Sequence, residues 1–231
     1  MVSQESLKKM AAEKAVEQIE DGMVLGLGTG STTKYALEKI ARDMKAGLLK
    51  NIIGIPSSVK TAHLAQELGI PLGSLENHAK LDLTIDGADE VDPQLNLIKG
   101  GGGALLREKI LAQISRKEVI IVDEGKLSSQ LGSKWAVPVE VLPYAWYPVS
   151  KFLESLGAAV TMRLNRDGSI YKTDQDNLIL DCNFGPIENP EKIARQLESR
   201  AGIIEHGLFI NLAHEVIVAS PEGIRTLTVS S

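Results

Sequence analysis

One cysteine in 231 residues, Cys182, excludes an intrachain disulfide framework and suits a reducing compartment. Basic charge is also in short supply. With 25 Lys and Arg against 30 Asp and Glu, the net charge is −5 and the pI about 5.5, so no basic stripe is available to displace counterions from a nucleic acid. No apolar run approaches the length of a membrane span, and the opening MVSQESLKKM has no apolar signal core, so a cytoplasmic location without membrane partners is expected. The four histidines (His63, His78, His206 and His214) are scattered without ligand spacing and read as surface or satisfied structural residues. Internal repeats and low-complexity linkers are missing as well.

What is present is an ordered alternation. Ser3 to Glu20 carries a helical stripe of Leu7, Met10, Ala11, Ala15 and Ile19. Apolar strands at 23–27, 52–55, 81–85 and 119–122 alternate with helices at about 31–45, 57–68 and 102–114, with Ser31 and Ser57 as expected N-caps and Gly69 as a stop. Strands apolar on both faces argue for an α/β fold, a Rossmann-like open parallel sheet with helices on both faces. After Lys126 the order changes. Strand 137–142, helix 147–156, strands 158–164 and 169–172 around the hairpin signal Asn165-Arg166-Asp167-Gly168, the alternating run 177–184, a helix from Pro190 and strand 203–210 follow. That is β-α-β-β-α-β, the order of a smaller ferredoxin-like α+β domain. The expected division is residues 1–130 with 207–231 as the large domain and 131–206 as the small one. The tail runs 216–219 and 224–229 return to the large domain. Tyr144, Trp146, Tyr147 and Phe152 crowd one stretch of a chain with two Trp, four Tyr and three Phe. They read as small-domain core and domain seam in preference to an oligomer contact.

Four segments carry chemistry. In Gly26-Leu27-Gly28-Thr29-Gly30-Ser31-Thr32, glycines after a strand turn amides inward before a helix N-terminus, and three hydroxyls add donors for a phosphate or a polyol. The dinucleotide fingerprint is not met, because Ser31 stands where its third glycine falls and Ile55-Pro56-Ser57 supplies no ribose-binding acid; a P-loop lacks its Gly-Lys-Ser/Thr. Asp86-Gly87-Ala88-Asp89 places two carboxylates at a strand's carboxyl end, suited to sugar hydroxyls or acid-base work, with Glu90 and Asp92 as solvated loop charges. Lys99 and the run Gly100-Gly101-Gly102-Gly103 lead into a helix bearing Glu108. Four ordered glycines are entropically expensive and make sense where the chain approaches a ligand closely. Glu108 sits among Ala104, Leu105, Leu111 and Ala112, so desolvation is expected to raise its pKa toward that of a general base. Asp123-Glu124-Gly125-Lys126 ends the next strand; its lysine can pair with phosphate or an oxyanion, although an ordinary loop charge accounts for it equally well when taken alone.

Together with Glu205-His206-Gly207-Leu208-Phe209, these co-linear segments closely resemble ribose-5-phosphate isomerase type A, and the likeness covers essentially the whole chain. The resemblance implies aldose-ketose isomerisation between D-ribose 5-phosphate and D-ribulose 5-phosphate through a cis-enediolate, in the non-oxidative pentose phosphate pathway, without metal or cofactor. It implies Glu108 as proton acceptor and Thr29, Gly30, Ser31, Thr32, Asp86, Gly87, Ala88, Asp89, Lys99, Gly100, Gly101, Gly102 and Lys126 as substrate-binding positions. Lys99, Asp86 and Asp89 join Glu108 as catalytic candidates, with Lys8 and Lys9 as looser matches near the phosphate. A homo-oligomer, dimer or tetramer, is implied too. Three rivals explain less. A dinucleotide oxidoreductase lacks its fingerprint, a sugar-phosphate sensor lacks a DNA-binding module, and an acyl-carrier transferase with Glu108 as nucleophile leaves Asp86 and Asp89 without a role.

Overall fold

Ser3 begins the described part of the chain, residues 3–228 of a computed structural model, and its hydroxyl accepts from the Ser6 amide to cap α1 (Gln4–Val16). The chain continues through β1 (Val24–Leu27), α2 (Thr33–Lys45), β2 (Ile53–Pro56), α3 (Val59–Leu68), β3 (Leu83–Asp86), β4 (Glu90–Val91), β5 (Leu97–Ile98), α4 (Leu105–Ile114) and β6 (Glu118–Asp123). It then forms β7 (Val137–Val141), α5 (Trp146–Ser155), β8 (Ala159–Met162), β9 (Leu178–Asn183), α6 (Pro190–Glu198), β10 (Ile203–His206), β11 (Leu208–Phe209), β12 (Glu215–Ser220) and β13 (Gly223–Thr228). Val229, the end of the second tail run, lies outside the described residues. Among the described residues no helix is long and apolar enough to cross a membrane.

Two compact units emerge. The first comprises residues up to 88, 107–127 and those from 211 on. Its six-stranded sheet has the order β13-β12-β6-β3-β1-β2, parallel throughout except for the hairpin partner β13. Apart from this antiparallel edge strand the sheet is the open parallel one expected. Leu25, Leu27, Leu83, Ile85, Ile121 and Ile217 alternate onto the face covered by α1, α2 and α3, while Ile55 and Leu81 pack with Leu111 of α4 on a second cluster. From β1 the chain goes to β2 on one side and to β3 on the other. That reversal makes the carboxyl ends of β1 and β3 the topological switch point, where open α/β sheets hold their ligands.

The second unit comprises 89–106 and 128–210. Its four-stranded antiparallel sheet has the order β10-β7-β9-β8, which with α5 and α6 is the ferredoxin-like arrangement. A three-stranded sheet, β11-β5-β4, belongs to the same unit and packs Ile98 and Leu208 with Val137, Val139 and Leu180. By sequence alone residues 89–106 group with the large domain, because two-residue strands such as β4 and β5 are too short to show a period of two.

Several local expectations change. Thr32, not Ser31, is the N-cap of α2, and Ser58, not Ser57, caps α3 by accepting from the Thr61 amide. No strand forms at 169–172; a single bridge, Leu164 to Ile170, stands there and β8 pairs directly with β9. Glu90 and Asp92 are buried, not solvated. The Glu90 carboxylate accepts from the amides of Gly132, Lys134 and Trp135, and Asp92 accepts from those of Gln94 and Asn96. Amide bonds of this kind replace the hydration a buried carboxylate loses. Tyr144, Trp146 and Tyr147 are exposed, Tyr144 at 93%, so only Phe152 of the aromatic stretch packs against the second unit's core.

Candidate active site

At the switch point of the first unit, β1 and β3 approach so closely that only glycine fits. A Cβ on Gly26 would lie 1.8 Å from the Thr84 hydroxyl, and one on Gly28 would lie 2.2 Å from Asp86 Oδ1 and 2.7 Å from its Cα. The closeness lets Asp86, fully buried as the last residue of β3, accept from the Thr29 amide at 3.2 Å and from the Gly87 amide at 2.7 Å. Asp86 thus shapes the 28–30 turn as well as offering a carboxylate beside it. The Thr29 hydroxyl is the hub of a cluster, 2.7 Å from Ser57 Oγ, 2.8 Å from Ser58 Oγ and 3.0 Å from Thr61 Oγ1. Gly30 takes φ +143°, and Ser31 is exposed and accepts from Lys8 Nζ at 2.9 Å. Lys8 therefore does stand at this loop, while Thr32 is half-buried at the start of α2.

Glu108 lies in the first turn of α4, and its side chain is buried at 4% exposure, as is that of its neighbour Lys109 at 5%. Leu111 and Ala112 on the same helix are buried too. The burial of Glu108 agrees with the apolar neighbours its helical position predicts. Lys126 ends a 3-10 turn, Glu124–Lys126, that Asp123 caps by accepting from the Gly125 amide; Lys126 itself is half-buried.

In the second unit, Asp89 accepts from the Gly101 amide at 2.7 Å, while its own amide donates to Ile98 O. Lys99 is 2% exposed, its backbone is tied to Gly207 O and its ammonium lies 5.5 Å from the centre of the Phe209 ring, a cation–π contact. The run that follows is bent by positive φ at Gly100 (+100°) and Gly103 (+81°), leaving Gly101 and Gly102 exposed. Gly87 and Ala88 are half-buried where the chain passes from the first unit to the second.

Thr29, Gly28, Gly87 and Asp86 are thus brought together in the first unit, and Asp89, Lys99 and Gly100 to Gly102 gather in the second. Ser57, Ser58 and Thr61 are not among the site residues that the sequence predicts. Their signal was the hydroxyl density of Pro56-Ser57-Ser58 at the end of a strand adjacent to β1, which reads as an ordinary helix cap. Among the described residues no three His, Cys, Asp or Glu side chains form a group that could hold a metal ion.

Comparison with known proteins points one way. The family model for ribose 5-phosphate isomerase A (phosphoriboisomerase A) matches residues 53–223. Ribose-5-phosphate isomerase A of Desulfatibacillum aliphaticivorans is 59% identical over 98% of this chain and 99% of its own, and that of Chloroflexus aurantiacus 54% over 99% and 95%. A solved D-ribose-5-phosphate isomerase in complex with phospho-erythronic acid superposes with a TM-score of 0.96 at 40% identity, covering 98% of this chain and 99% of that one. The enzyme from Methanocaldococcus jannaschii gives 0.93 at 36%, over 98% and 100%.

Proposed function

The chain belongs to the ribose 5-phosphate isomerase A family, and from that premise we infer that it interconverts D-ribose 5-phosphate and D-ribulose 5-phosphate with Glu108 as the general base. In the open-chain aldose the Glu108 carboxylate takes the proton from C2, and the electron pair of that C–H bond forms the C1=C2 double bond and leaves the negative charge on O1. In the cis-enediolate so formed the O2 proton passes to O1, and as O2 becomes the carbonyl the double-bond pair takes the proton back from Glu108 at C1. Negative charge develops on the enediolate oxygens, and Lys99 with the amides of Gly100 and Gly102 stabilises it; removing one such donor costs roughly 3–4 kcal/mol in a comparable oxyanion site. Asp86 and Asp89 hold substrate hydroxyls and assist ring opening. Thr29 to Thr32 and Lys126 bind the substrate, and Lys8 at Ser31 adds positive charge for the phosphate. No step is assigned to a metal.

The observation that carries this reading is the burial of Glu108 in the first turn of the helix that follows the glycine run. A half-dry carboxylate ionises less readily than a hydrated one and is a stronger base for carbon acids. The test is isomerisation in deuterium oxide with Glu108→Gln alongside the unaltered protein. Solvent deuterium is expected at C1 of ribulose 5-phosphate, and the variant should bind substrate while losing about 100-fold or more of its turnover. Complete absence of solvent label, or an unchanged kcat in Glu108→Gln, removes the assignment. Loss of activity in EDTA that a divalent ion restores would remove the metal-free route. The reading extends to a cytoplasmic homo-oligomer, supported by the lone reduced thiol and by the exposed Tyr144, Trp146 and Tyr147, and sedimentation tests the second half of it.

A further inference from the structure

A run of four glycines has no side chains with which to hold its own shape. Ordering each residue costs about 1–2 kcal/mol of backbone entropy, and glycine is the most expensive. Something outside the run must therefore keep it in place, and in the second unit two side chains do. Arg163, the residue after β8, is 14% exposed and is gripped by Asp181 of β9 along one edge, Nε donating at 2.9 Å and Nη2 making a second close bond. Its remaining Nη1 donates to Gly100 O at 2.7 Å and to Gly101 O at 3.3 Å. Tyr171, whose ring centre lies 6.0 Å from the guanidinium, donates its hydroxyl to Gly102 O at 3.4 Å. Three successive glycine carbonyls thus face two side chains.

The geometry points to Arg163 and Tyr171 as positioning residues for isomerisation, aligned by Asp181 and acting through the Gly100–Gly103 loop. A planar peptide sends its carbonyl and the next amide in opposite directions, so anchoring Gly100 O aims the Gly101 N–H away from Arg163, and that amide donates to Asp89. The fixed fork of an arginine, and not the point charge of a lysine, can serve a carboxylate on one edge and two carbonyls on the other. Gly103 belongs to the same device: at φ +81° its Cα lies against Tyr171, where a Cβ would come within 2.1 Å of the phenol oxygen. Nothing in the motif segments at 26–32, 86–92, 99–110 or 123–126 includes either residue.

This inference rests on the reading of the glycine run as part of the catalytic machinery, and the experiment separates the two. Arg163→Ala, Arg163→Lys and Tyr171→Phe are compared with Glu108→Gln in the full chain, following kcat, KM and amide hydrogen exchange. Arg163→Ala is expected to lose about 10- to 100-fold in kcat, the scale of an ångström-sized misplacement. Its KM should change far less. Exchange should accelerate within residues 101–103 while the core of the ferredoxin-like sheet keeps its protection. Arg163→Lys should recover little, Tyr171→Phe should lose a few-fold, and free guanidinium should restore part of the Arg163→Ala turnover. A wild-type kcat in Arg163→Ala, or a loss with no faster exchange at 101–103, overturns the inference while Glu108→Gln remains inactive. An active Glu108→Gln overturns the base assignment instead.

Discussion

In the 26–32 segment, glycine is demanded by proximity: Gly26 and Gly28 lie against Thr84 and Asp86, and any Cβ would strike buried atoms. In the 100–103 segment, glycine is demanded chiefly by backbone conformation, with Gly100 and Gly103 in the left-handed half of φ. The first loop is held from within its own unit by the Asp86 carboxylate and a knot of hydroxyls around Thr29. The second is held by an arginine and a tyrosine on its carbonyl side and by Asp89 on its amide side. The difference teaches that a glycine-rich loop is only half of a binding device. The other half is whatever removes its freedom, and in both loops the partners that do so lie elsewhere in the chain.

Substitutions can break the contrast. The largest effect is expected from Gly28→Ala, because the new methyl would meet the Asp86 backbone as well as its side chain. Overpacking there should destabilise by about 1–3 kcal/mol. Turnover should fall by about 100-fold, in line with the cost of misplacing catalytic groups, and steady-state kinetics with thermal melting would check both. Gly103→Ala should be milder, about 1–2 kcal/mol for a left-handed residue, with a steric part that comes from Tyr171. Combining it with Tyr171→Ala should recover part of that loss, and a double-mutant cycle that shows no coupling would contradict the steric account. Thr29→Val removes the hub of the hydroxyl cluster, leaving Ser58 and Thr61 to bond each other. About 1–2 kcal/mol of stability and a raised KM are expected.

The smallest effect distinguishes the units by pH. Burial pushes the Glu140 carboxyl of β7 above the ordinary carboxylate range, against the hydrogen bonds from Asn177 and Thr173, and the nearby charges of Glu205 and Asp174 push it the same way. Between the ordinary value and the raised one, the native state holds this proton more tightly than the unfolded chain. Its contribution is therefore fully present below the ordinary value and is lost as pH rises through the folded one. Glu140→Gln should flatten that decline in urea midpoints measured from about pH 4 to about pH 8. An unchanged slope would show that Glu140 does not control it. Burial likewise raises the Cys182 pKa, so this thiol should resist alkylation until the second unit unfolds.

Much of the molecule is legible in the chain itself. Long apolar strands with helices between them declare the first unit, and the ferredoxin-like order survives even though the expected strand at 169–172 is a loop. Glu108 reads as buried because its helical neighbours are apolar, and it is buried. Glu90 reads as solvated and is not, because the amides that satisfy it come from residues 132–135, more than forty positions downstream. Ser57 reads only as a helix cap and Arg163 only as a strand residue for the same reason: a hydroxyl after a strand and an arginine in a hairpin are unremarkable until the partner is known.

By itself, then, the order of residues determined the alternation of elements, the glycine positions and which carboxylate sits on an apolar helical flank, since these depend on neighbours within a turn or a strand. Only the tertiary structure decided which polar groups satisfy one another: Asp86 with Thr29, Glu90 with the 132–135 amides, and Arg163 with the glycine carbonyls. Hydrogen bonds reach about 3 Å in space whatever the separation along the chain, so no local pattern can encode them.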